Sequence, residues 1–157
     1  EMNLKVWDPS KITIISDHYT PPANAQQASI VKFTRDWAKE YGIKHYYEFA
    51  GPCHQVMVEK SRVLPGEVVV GTDSHTCTYG AISAFSTGIG STEMFGVLTT
   101  GKIWLKVPET IKVNFKGKMK KGVMAKDLIL AAIERRLSFP SVITLPSTFT
   151  VTGVGLS

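Results

Sequence analysis

The sequence contains few cysteines and no long apolar run. Its 157 residues include two cysteines, Cys53 and Cys77, which provide neither a disulfide framework nor a CxxC metal pair. No apolar run approaches the roughly 20 residues that cross a bilayer, and residues 1–5 lack the basic-then-apolar order of a secretion signal. We therefore expect a cytoplasmic protein with no membrane partner.

The sequence also lacks aromatic residues within its most basic stretch, residues 116–121. A surface that binds nucleic acid would place aromatic side chains among the basic ones for base stacking. This stretch is more typical of a solvated hairpin, so we expect no nucleic-acid partner. The formal net charge of +5 instead suits a small anionic substrate.

The apolar pattern predicts an α/β fold, in which a layered and partly parallel sheet is flanked by helices. Residues 11–16, 45–49 and 67–70 are typical of strands. Between the first two strands, apolar side chains recur at spacings of three and four, which predicts a helix that begins after Asn24 and ends at Gly42. The side chains of this stripe are Ile30, Phe33, Trp37 and Tyr41.

Small residues dominate positions 76–90, and a helix is predicted from Ser91 to about Thr100. Small side chains let the backbone approach another segment closely. Residues 88–90 could also cradle a phosphate, but neither the Lys-Ser/Thr ending of a P-loop nor a third glycine at the dinucleotide spacing follows them. We therefore interpret the small residues as a packing feature.

The last third of the sequence predicts a hairpin and a helix. Residues 102–107 and 110–116 are typical of strands, and the proline between them predicts a hairpin at the edge of the domain. Residues 124–136 have helical spacing. We predict that residues 1–136 form one α/β domain and that residues 137–157 are a tail of uncertain organisation.

Two of the predicted strands end in acidic and imidazole side chains. Asp17-His18 follows the first strand, and Asp73-Ser74-His75 follows the third. A buried strand fixes the backbone, so the loop after it presents proton-transfer groups with little entropy left to lose. An adjacent Asp and His rarely bond each other, whereas Asp73 and His75 would project to one side of an extended segment. His54 adds a third imidazole from a turn after a Gly-Pro pair.

Three histidines and two aspartates on three loops permit two kinds of chemistry. They could bind a divalent metal, or they could act as acids, bases and donors around a polar substrate. The fourth histidine, His45, lies within a predicted strand and is interpreted as an ordinary hydrogen-bonded residue. We interpret Cys53 and Cys77 as small packing residues, because no nucleophile motif flanks them.

Several motifs of this sequence resemble the large subunits of 3-isopropylmalate dehydratases, in the aconitase superfamily. Homoaconitase large subunits are nearly as similar. The resemblance rests on residues 51–56 (GPCHQV), 64–81 (LPGEVVVGTDSHTCTYGA) and 87–94 (TGIGSTEM). It extends from about Val6 to about Leu130, and a match of this length and order is highly specific.

The resemblance implies a hydro-lyase of leucine biosynthesis. Such an enzyme moves a hydroxyl between adjacent carbons of a malate-type acid by dehydration and rehydration. The resemblance further implies a small subunit as partner, a substrate like a di- or tricarboxylate, and a [4Fe-4S] cluster with one open iron.

The resemblance also assigns catalytic roles to six residues of this chain. Asp17 and His18 match the acid pair that assists the departure of hydroxide. His54 and His75 match histidines around the reacting oxygen, while Asp73 and Ser74 match the polar partners of these groups.

The sequence also departs from the family pattern. The three cysteines that bind the cluster and the Thr-His-Asp segment expected before Val6 are missing, and an unrelated tail follows about Ile133. We therefore expect a fragment, a truncated product or a degenerate paralogue, which alone binds no cluster and turns over no substrate.

Two other classes of protein remain open from the sequence. One is a non-catalytic domain that keeps the superfamily fold for assembly. The other is a mononuclear metallohydrolase, whose ligands would be Asp17, His18, His54, Asp73 and His75. The sequence alone does not choose between isopropylmalate and a homocitrate-type substrate.

Overall fold

Short strands alternate with helices along the chain in the structure, a computed structural model that describes residues 5–107, 110–113, 119–134, 141–144 and 149–153. The strands are β1 (Thr13–Ser16), β2 (His45–Glu48), β3 (Val68–Gly71), β4 (Phe85–Gly88), β5 (Thr110–Val113), β6 (Ser141–Thr144) and β7 (Phe149–Gly153). The α-helices are α1 (Ala25–Glu40), α2 (Cys53–Glu59), α3 (Ser91–Thr100) and α4 (Ala125–Glu134), and two 3₁₀ helices lie at Pro9–Lys11 and Thr76–Ile82. The predicted α/β class is confirmed.

The described strands form three small sheets rather than one layered sheet. Strands β1 and β2 pair in parallel, with Thr13 opposite His45 and Ser16 opposite Glu48. Strands β3 and β4 also pair in parallel, whereas β5, β7 and β6 form an antiparallel sheet in that order. The parallel pairs agree with the sequence prediction, but the predicted single sheet is divided.

Helix α1 connects the parallel strands β1 and β2 and has the predicted ends. The side chain of Asn24 accepts a hydrogen bond of 2.9 Å from the backbone N–H of Gln27, which caps the first turn. Gly42 follows the helix with a φ of 67°, a conformation that glycine adopts without a steric penalty. The two signals therefore predicted both ends of this helix correctly.

The buried face of α1 differs from the predicted stripe. Val31 and Ala38 are buried, whereas Ile30 is exposed and Phe33 has 70% of its surface exposed. Residues 31 and 38 are two helical turns apart and small enough to let the helix approach its neighbours closely. The 3.6-residue period predicts a helix, but it does not decide which of two adjacent apolar stripes is covered.

Three segments that carry the predicted site leave the carboxyl ends of parallel strands. Residues 17–24 follow β1, helix α2 follows β2 after a short turn, and residues 72–75 follow β3. In open α/β folds, ligands bind outside these carboxyl ends. Val63, Tyr79 and Ala84 form a buried cluster, and Val69 of β3, the strand that precedes the third segment, packs against it.

Two predictions of secondary structure are wrong. Residues 102–107 contain no strand, and β5 pairs with β7, so the predicted hairpin does not form. Helix α2 begins at Cys53, where the sequence predicts only a turn. Helices α3 and α4 lie close to their predicted positions. None of the described helices combines the length and apolar character that a bilayer crossing requires.

Candidate active site

Asp17 and His18 lie in the turn after β1 and contact each other. The Nδ1 atom of His18 is 2.8 Å from Asp17 Oδ1, and Asp17 Oδ2 accepts a 2.7 Å hydrogen bond from the backbone N–H of Cys53. The prediction that the two neighbours do not bond is wrong, because the chain turns here: Tyr19 has a φ of 58°, and the Thr20 hydroxyl donates to the Ser16 carbonyl. Side chains that would diverge in a strand are thereby brought together.

Asp17 is ionised and fixes the proton of its histidine. Partial burial tends to raise the pKa of Asp17, but hydrogen bonds from the thiol and backbone of Cys53 and from His18 outweigh it and lower the pKa to about 2. A carboxylate can only accept, so Nδ1 of His18 donates. This hydrogen bond raises the pKa of His18, and its Nε2 is left on the exposed side of the ring.

His54, Asp73 and His75 form the second group of the site. Asp73 Oδ1 is 2.8 Å from His54 Nε2 and 3.2 Å from His75 Nδ1. The two imidazole rings meet nearly edge to face, with centroids 6.3 Å apart. The Ser74 hydroxyl lies 3.3 Å from the same Nδ1 of His75. One carboxylate oxygen therefore joins histidines from two different chain segments.

A tight turn, rather than an extended segment, brings Asp73 and His75 together. Asp73 Oδ1 accepts a 2.7 Å hydrogen bond from the backbone N–H of His75, and the Thr76 hydroxyl donates to the Asp73 carbonyl at 2.6 Å. Gly88 of β4 lies directly against this turn, where an added Cβ would be 2.7 Å from the Asp73 carbonyl oxygen. The small residues predicted to allow close approach therefore do so at Gly88.

The same hydrogen bonds keep Asp73 charged. The backbone N–H of His75 and then the imidazole of His54 lower the pKa of Asp73, and they outweigh the effect of its partial burial. Asp73 is therefore a carboxylate at neutral pH. It accepts from Nε2 of His54 and from Nδ1 of His75.

The two groups lie on either side of Cys53 and His54 at the start of α2. Asp17 binds the backbone N–H of Cys53, and Asp73 binds the imidazole of His54. Burial, followed by the charges of Asp17 and Asp73, raises the pKa of the Cys53 thiol to about 11, and Asp73 also contributes to the raised pKa of His18. All six residues that the sequence singled out therefore belong to one neighbourhood.

Tyr79 is a site residue that sequence reasoning missed. Its hydroxyl lies 3.0 Å from Nδ1 of His54. It is the one aromatic residue among the mostly small residues 76–84, and this contrast in the sequence could have identified it as a site residue. His45, interpreted as an ordinary hydrogen-bonded residue, accepts a hydrogen bond of 2.9 Å from the Arg62 guanidinium.

A cleft of about 480 Å³ opens beside Asp17. This volume falls within the range of small-molecule sites, and the ends of β1 and β2 form its walls. Its lining consists of Ser16, Asp17, Thr20, Pro21, Phe49, Gly51 and Pro52. Of the six predicted site residues, Asp17 alone lines the cleft.

The five-residue metal site of the metallohydrolase alternative does not assemble. Within the described part of the chain, the donor atoms of His54, Asp73 and His75 lie within 4.8 Å of one another, but Asp17 and His18 do not join them. The spacings of 2.8 and 3.2 Å are those of direct hydrogen bonds between imidazole and carboxylate. Hydrogen bonding therefore accounts for the arrangement.

The residues of this chain do not fit the [4Fe-4S] cluster implied by the family. The family pattern needs three cysteine thiolates, whereas the sequence has two cysteines. Burial raises the pKa of both thiols, so each stays protonated at neutral pH and is a poor iron ligand.

The fold and the site together define an α/β protein with hydrogen-bonded histidines and aspartates after the carboxyl ends of its parallel strands. Residues 4–138 match the aconitase family (aconitate hydratase), so the chain belongs to this family. It is 52% identical over 132 residues to the probable 3-isopropylmalate dehydratase large subunit of Methanothermobacter thermautotrophicus, and 51% identical over 127 residues to 3-isopropylmalate dehydratase large subunit 1 of Methanopyrus kandleri.

A relative with a different name is nearly as similar. The probable methanogen homoaconitase large subunit of Methanosarcina mazei is 47% identical over 135 residues. The three alignments cover 83%, 80% and 85% of this chain and 32%, 30% and 34% of the relatives. The chain thus spans about a third of the length of the relatives that it matches.

Proposed function

We propose that this chain supplies the histidine- and aspartate-bearing part of a 3-isopropylmalate dehydratase large subunit. The observation that carries the proposal is the Asp73 carboxylate, which joins His54 and His75 at the carboxyl end of β3 within the stretch GTDSHT. The reaction is the dehydration and rehydration of a malate-type acid in leucine biosynthesis. The identity of about 50% to proteins of that name supports this choice.

His75 and His18 are the proton-transfer groups in this proposal. In each, Nδ1 donates to an aspartate and Nε2 is left for the substrate. The side chains are 78% and 76% exposed, so a substrate hydroxyl can reach them. An imidazolium at either position can give its Nε2 proton to a departing hydroxide, and the neutral ring can accept a proton from water in the reverse direction.

His54, Asp73 and Ser74 orient His75, whereas Asp17 orients His18. Both nitrogens of His54 are engaged, by Asp73 and by Tyr79, so His54 has no nitrogen left for a substrate proton. Its Nε2–H helps to hold the Asp73 carboxylate at the distance that orients His75. Such fixed hydrogen bonds reduce the reorganisation that the reaction would otherwise require.

The proposed partners are a small subunit and the rest of a large subunit, which would supply the cluster ligands. The chain exposes several large apolar side chains, which the proposed partners would cover. Among the described residues these include Phe33, Phe49 and Phe95. We assign the assembly to the cytoplasm, with an anionic dicarboxylate as substrate.

A chimera tests the proposal. The matched 132 residues of the Methanothermobacter large subunit are replaced by the corresponding residues of this chain, and the chimera is assembled with the small subunit of that organism. We expect it to isomerise isopropylmalate, because the site residues are contributed by the exchanged segment. Isomerisation is measured spectrophotometrically through the unsaturated intermediate.

The activity of the chimera also distinguishes the proposed function from the two alternatives, a homoaconitase and a non-catalytic assembly domain. Turnover of homocitrate in preference to isopropylmalate would support the homoaconitase alternative and overturn the proposed substrate. A chimera that assembles with the small subunit and an intact cluster but has no activity on either acid would favour the non-catalytic assembly domain. The native large subunit, treated identically, is the positive control.

A further inference from the structure

Tyr79 is a buried phenol that contacts the site from the core. Its side chain is 4% exposed and packs with Val63 and Ala84. Its hydroxyl is 3.0 Å from Nδ1 of His54, and the two rings meet edge to face with centroids 5.5 Å apart. A rigid side chain thus contacts the one nitrogen of His54 that Asp73 does not bind.

The hydrogen bonds around His54 define where its proton lies. Asp73 is ionised and can only accept, so Nε2 of His54 carries a proton and donates across 2.8 Å. Burial, together with nearby negative charge, raises the pKa of Tyr79, so its hydroxyl keeps a proton at neutral pH. In a neutral imidazole the second nitrogen accepts, and the Tyr79 hydroxyl is the donor that faces it.

We propose that Tyr79 is a positioning residue that fixes the orientation and tautomer of His54, with Nδ1 accepting from the phenol and Nε2 donating to Asp73. This role rests on the proposed function, in which Asp73 orients His75 for proton transfer. Because His54 is fixed, it holds Asp73 Oδ1 in place, and Nδ1 of His75 remains 3.2 Å from this oxygen. Tyr79 therefore acts through two intermediate residues and does not contact the substrate.

Nitrogen NMR of the histidine-labelled chain tests this role without any activity. At neutral pH we expect Nδ1 of His54 to have the shift of an unprotonated acceptor and Nε2 that of a protonated nitrogen. In Tyr79→Phe, the Nδ1 signal should move toward that of an acceptor without a hydrogen bond, and the signals of His75 should also change. The His54→Gln variant assigns the resonances.

Tyr41→Phe is the matched control, because Tyr41 stacks on Trp37 with centroids 4.9 Å apart, outside the site. Tyr41→Phe should leave the nitrogen NMR signals of His54 and His75 unchanged. A proton on Nδ1 of His54 in the unsubstituted chain would overturn the proposal, whether or not Tyr79→Phe folds. So would unchanged His54 signals in a folded Tyr79→Phe variant.

The assembled chimera provides the second readout. Loss of one hydrogen bond to the orienting histidine predicts a kcat that is roughly 2- to 12-fold lower in Tyr79→Phe, with KM unchanged. An unchanged kcat in an active chimera would contradict the coupling of Tyr79 to His75. An inactive chimera would count against the proposed function, whereas the NMR result would still decide where the proton of His54 lies.

Discussion

Asp17 and Asp73 each hold a histidine through one carboxylate oxygen, and each also accepts a backbone N–H. The backbone donor is Cys53 for Asp17 and His75 for Asp73. A side chain that is held by its own loop and by a second segment has little freedom to lose when a substrate arrives. At the scale of the residue, the site is therefore preorganised mainly by its two aspartates.

Replacing Asp17 should change the dependence of stability on pH. The pKa of Asp17 is about 2 in the folded chain, below its ordinary value of 3.8. The stabilisation is thus complete above about pH 4 and is lost as the pH falls toward 2. Asp17→Asn should lower the free energy of unfolding by on the order of 2 kcal/mol at neutral pH.

Urea denaturation of both proteins at several pH values measures this difference. The gap between the unsubstituted chain and Asp17→Asn should narrow below about pH 4, because the aspartate becomes protonated in the unfolded state. A gap that stays constant down to the lowest accessible pH would show that the carboxylate is not stabilised by its contacts.

At the scale of elements, the site depends on how closely β4 approaches the turn after β3. Gly88 faces the backbone of Asp73 and Ser74, and an added Cβ would lie 2.7 Å from the Asp73 carbonyl oxygen and 3.2 Å from Ser74 Cα. Neither backbone atom can rotate away as a flexible side chain could. The position of Asp73 is therefore coupled to the pairing of β3 with β4.

Gly88→Ala should displace this turn. We expect a loss of about 1–3 kcal/mol in the free energy of unfolding, as for overpacked cores, and shifted NMR signals of His54 and His75. The matched control is Gly96→Ala in α3, where an added Cβ meets nothing within 4 Å. That substitution should be neutral or stabilising by roughly 0.5–1 kcal/mol. Equal effects of the two substitutions would refute the proposed crowding at Gly88.

Helix α1 is joined to the end of β2 by Glu48. The carboxylate of Glu48, 11% exposed, accepts from Nε and Nη2 of Arg35 and from the Tyr46 hydroxyl, the last at 2.8 Å. The hydrogen bond from Arg35 is the main cause of the lowered pKa of Glu48. Glu48 therefore stabilises the folded chain at pH values above its ordinary pKa of 4.5, and this stabilisation is lost as the pH falls below that value.

Glu48→Gln should lower the free energy of unfolding by roughly 1–2 kcal/mol at neutral pH, and the difference should shrink in acid. Lys32→Gln removes the exposed pair of Lys32 with Asp36 on the same helix and should cost less than about 0.5 kcal/mol. Thermal or urea unfolding of the two variants compares them. If Lys32→Gln lowered the free energy of unfolding as much as Glu48→Gln, the contacts of Glu48 with Arg35 and Tyr46 would stabilise the chain no more than an exposed ion pair does.

Local sequence signals predicted where helices begin and end better than they predicted which strands pair. Asn24 and Gly42 specified the ends of α1 because capping depends on chemistry within one turn. The residues at 102–107 have strand-like composition, but a strand also needs a neighbour, and sequence composition does not specify one. The division of the chain at residue 137 stays a prediction.

At the scale of the whole molecule, the parallel strands bring the site together. The sequence placed Asp17, His54 and Asp73 at the ends of strands or in turns. Parallel pairing puts the ends of β1 and β2, which precede Asp17 and His54, on one edge, and the hydrogen bond between His54 and Asp73 joins the turn after β3 to them. The contacts themselves were not predictable, because the Asp17 contact with its neighbour and the Tyr79 contact with His54 depend on turns and on packing across 25 residues of sequence.

The apolar surface of the chain fits a role in a larger assembly. Phe33 on α1 is 70% exposed, and the chain spans about a third of the length of its relatives. In the chimera a partner surface should cover this side chain and stabilise α1, so the backbone amides of α1 should exchange more slowly than in the isolated chain. Protection no greater than in the isolated chain would contradict the proposed assembly.

The most direct measurement is the kcat of the assembled chimera with His75→Ala, compared with His45→Ala. In the proposed function His75 transfers a proton through Nε2, whereas His45 contacts Arg62 outside the site. We expect His75→Ala to lower kcat by about 100-fold or more and His45→Ala to leave it nearly unchanged. Equal activities of the two variants, in chimeras that assemble equally well, would contradict the assignment of proton transfer to the histidine held by Asp73.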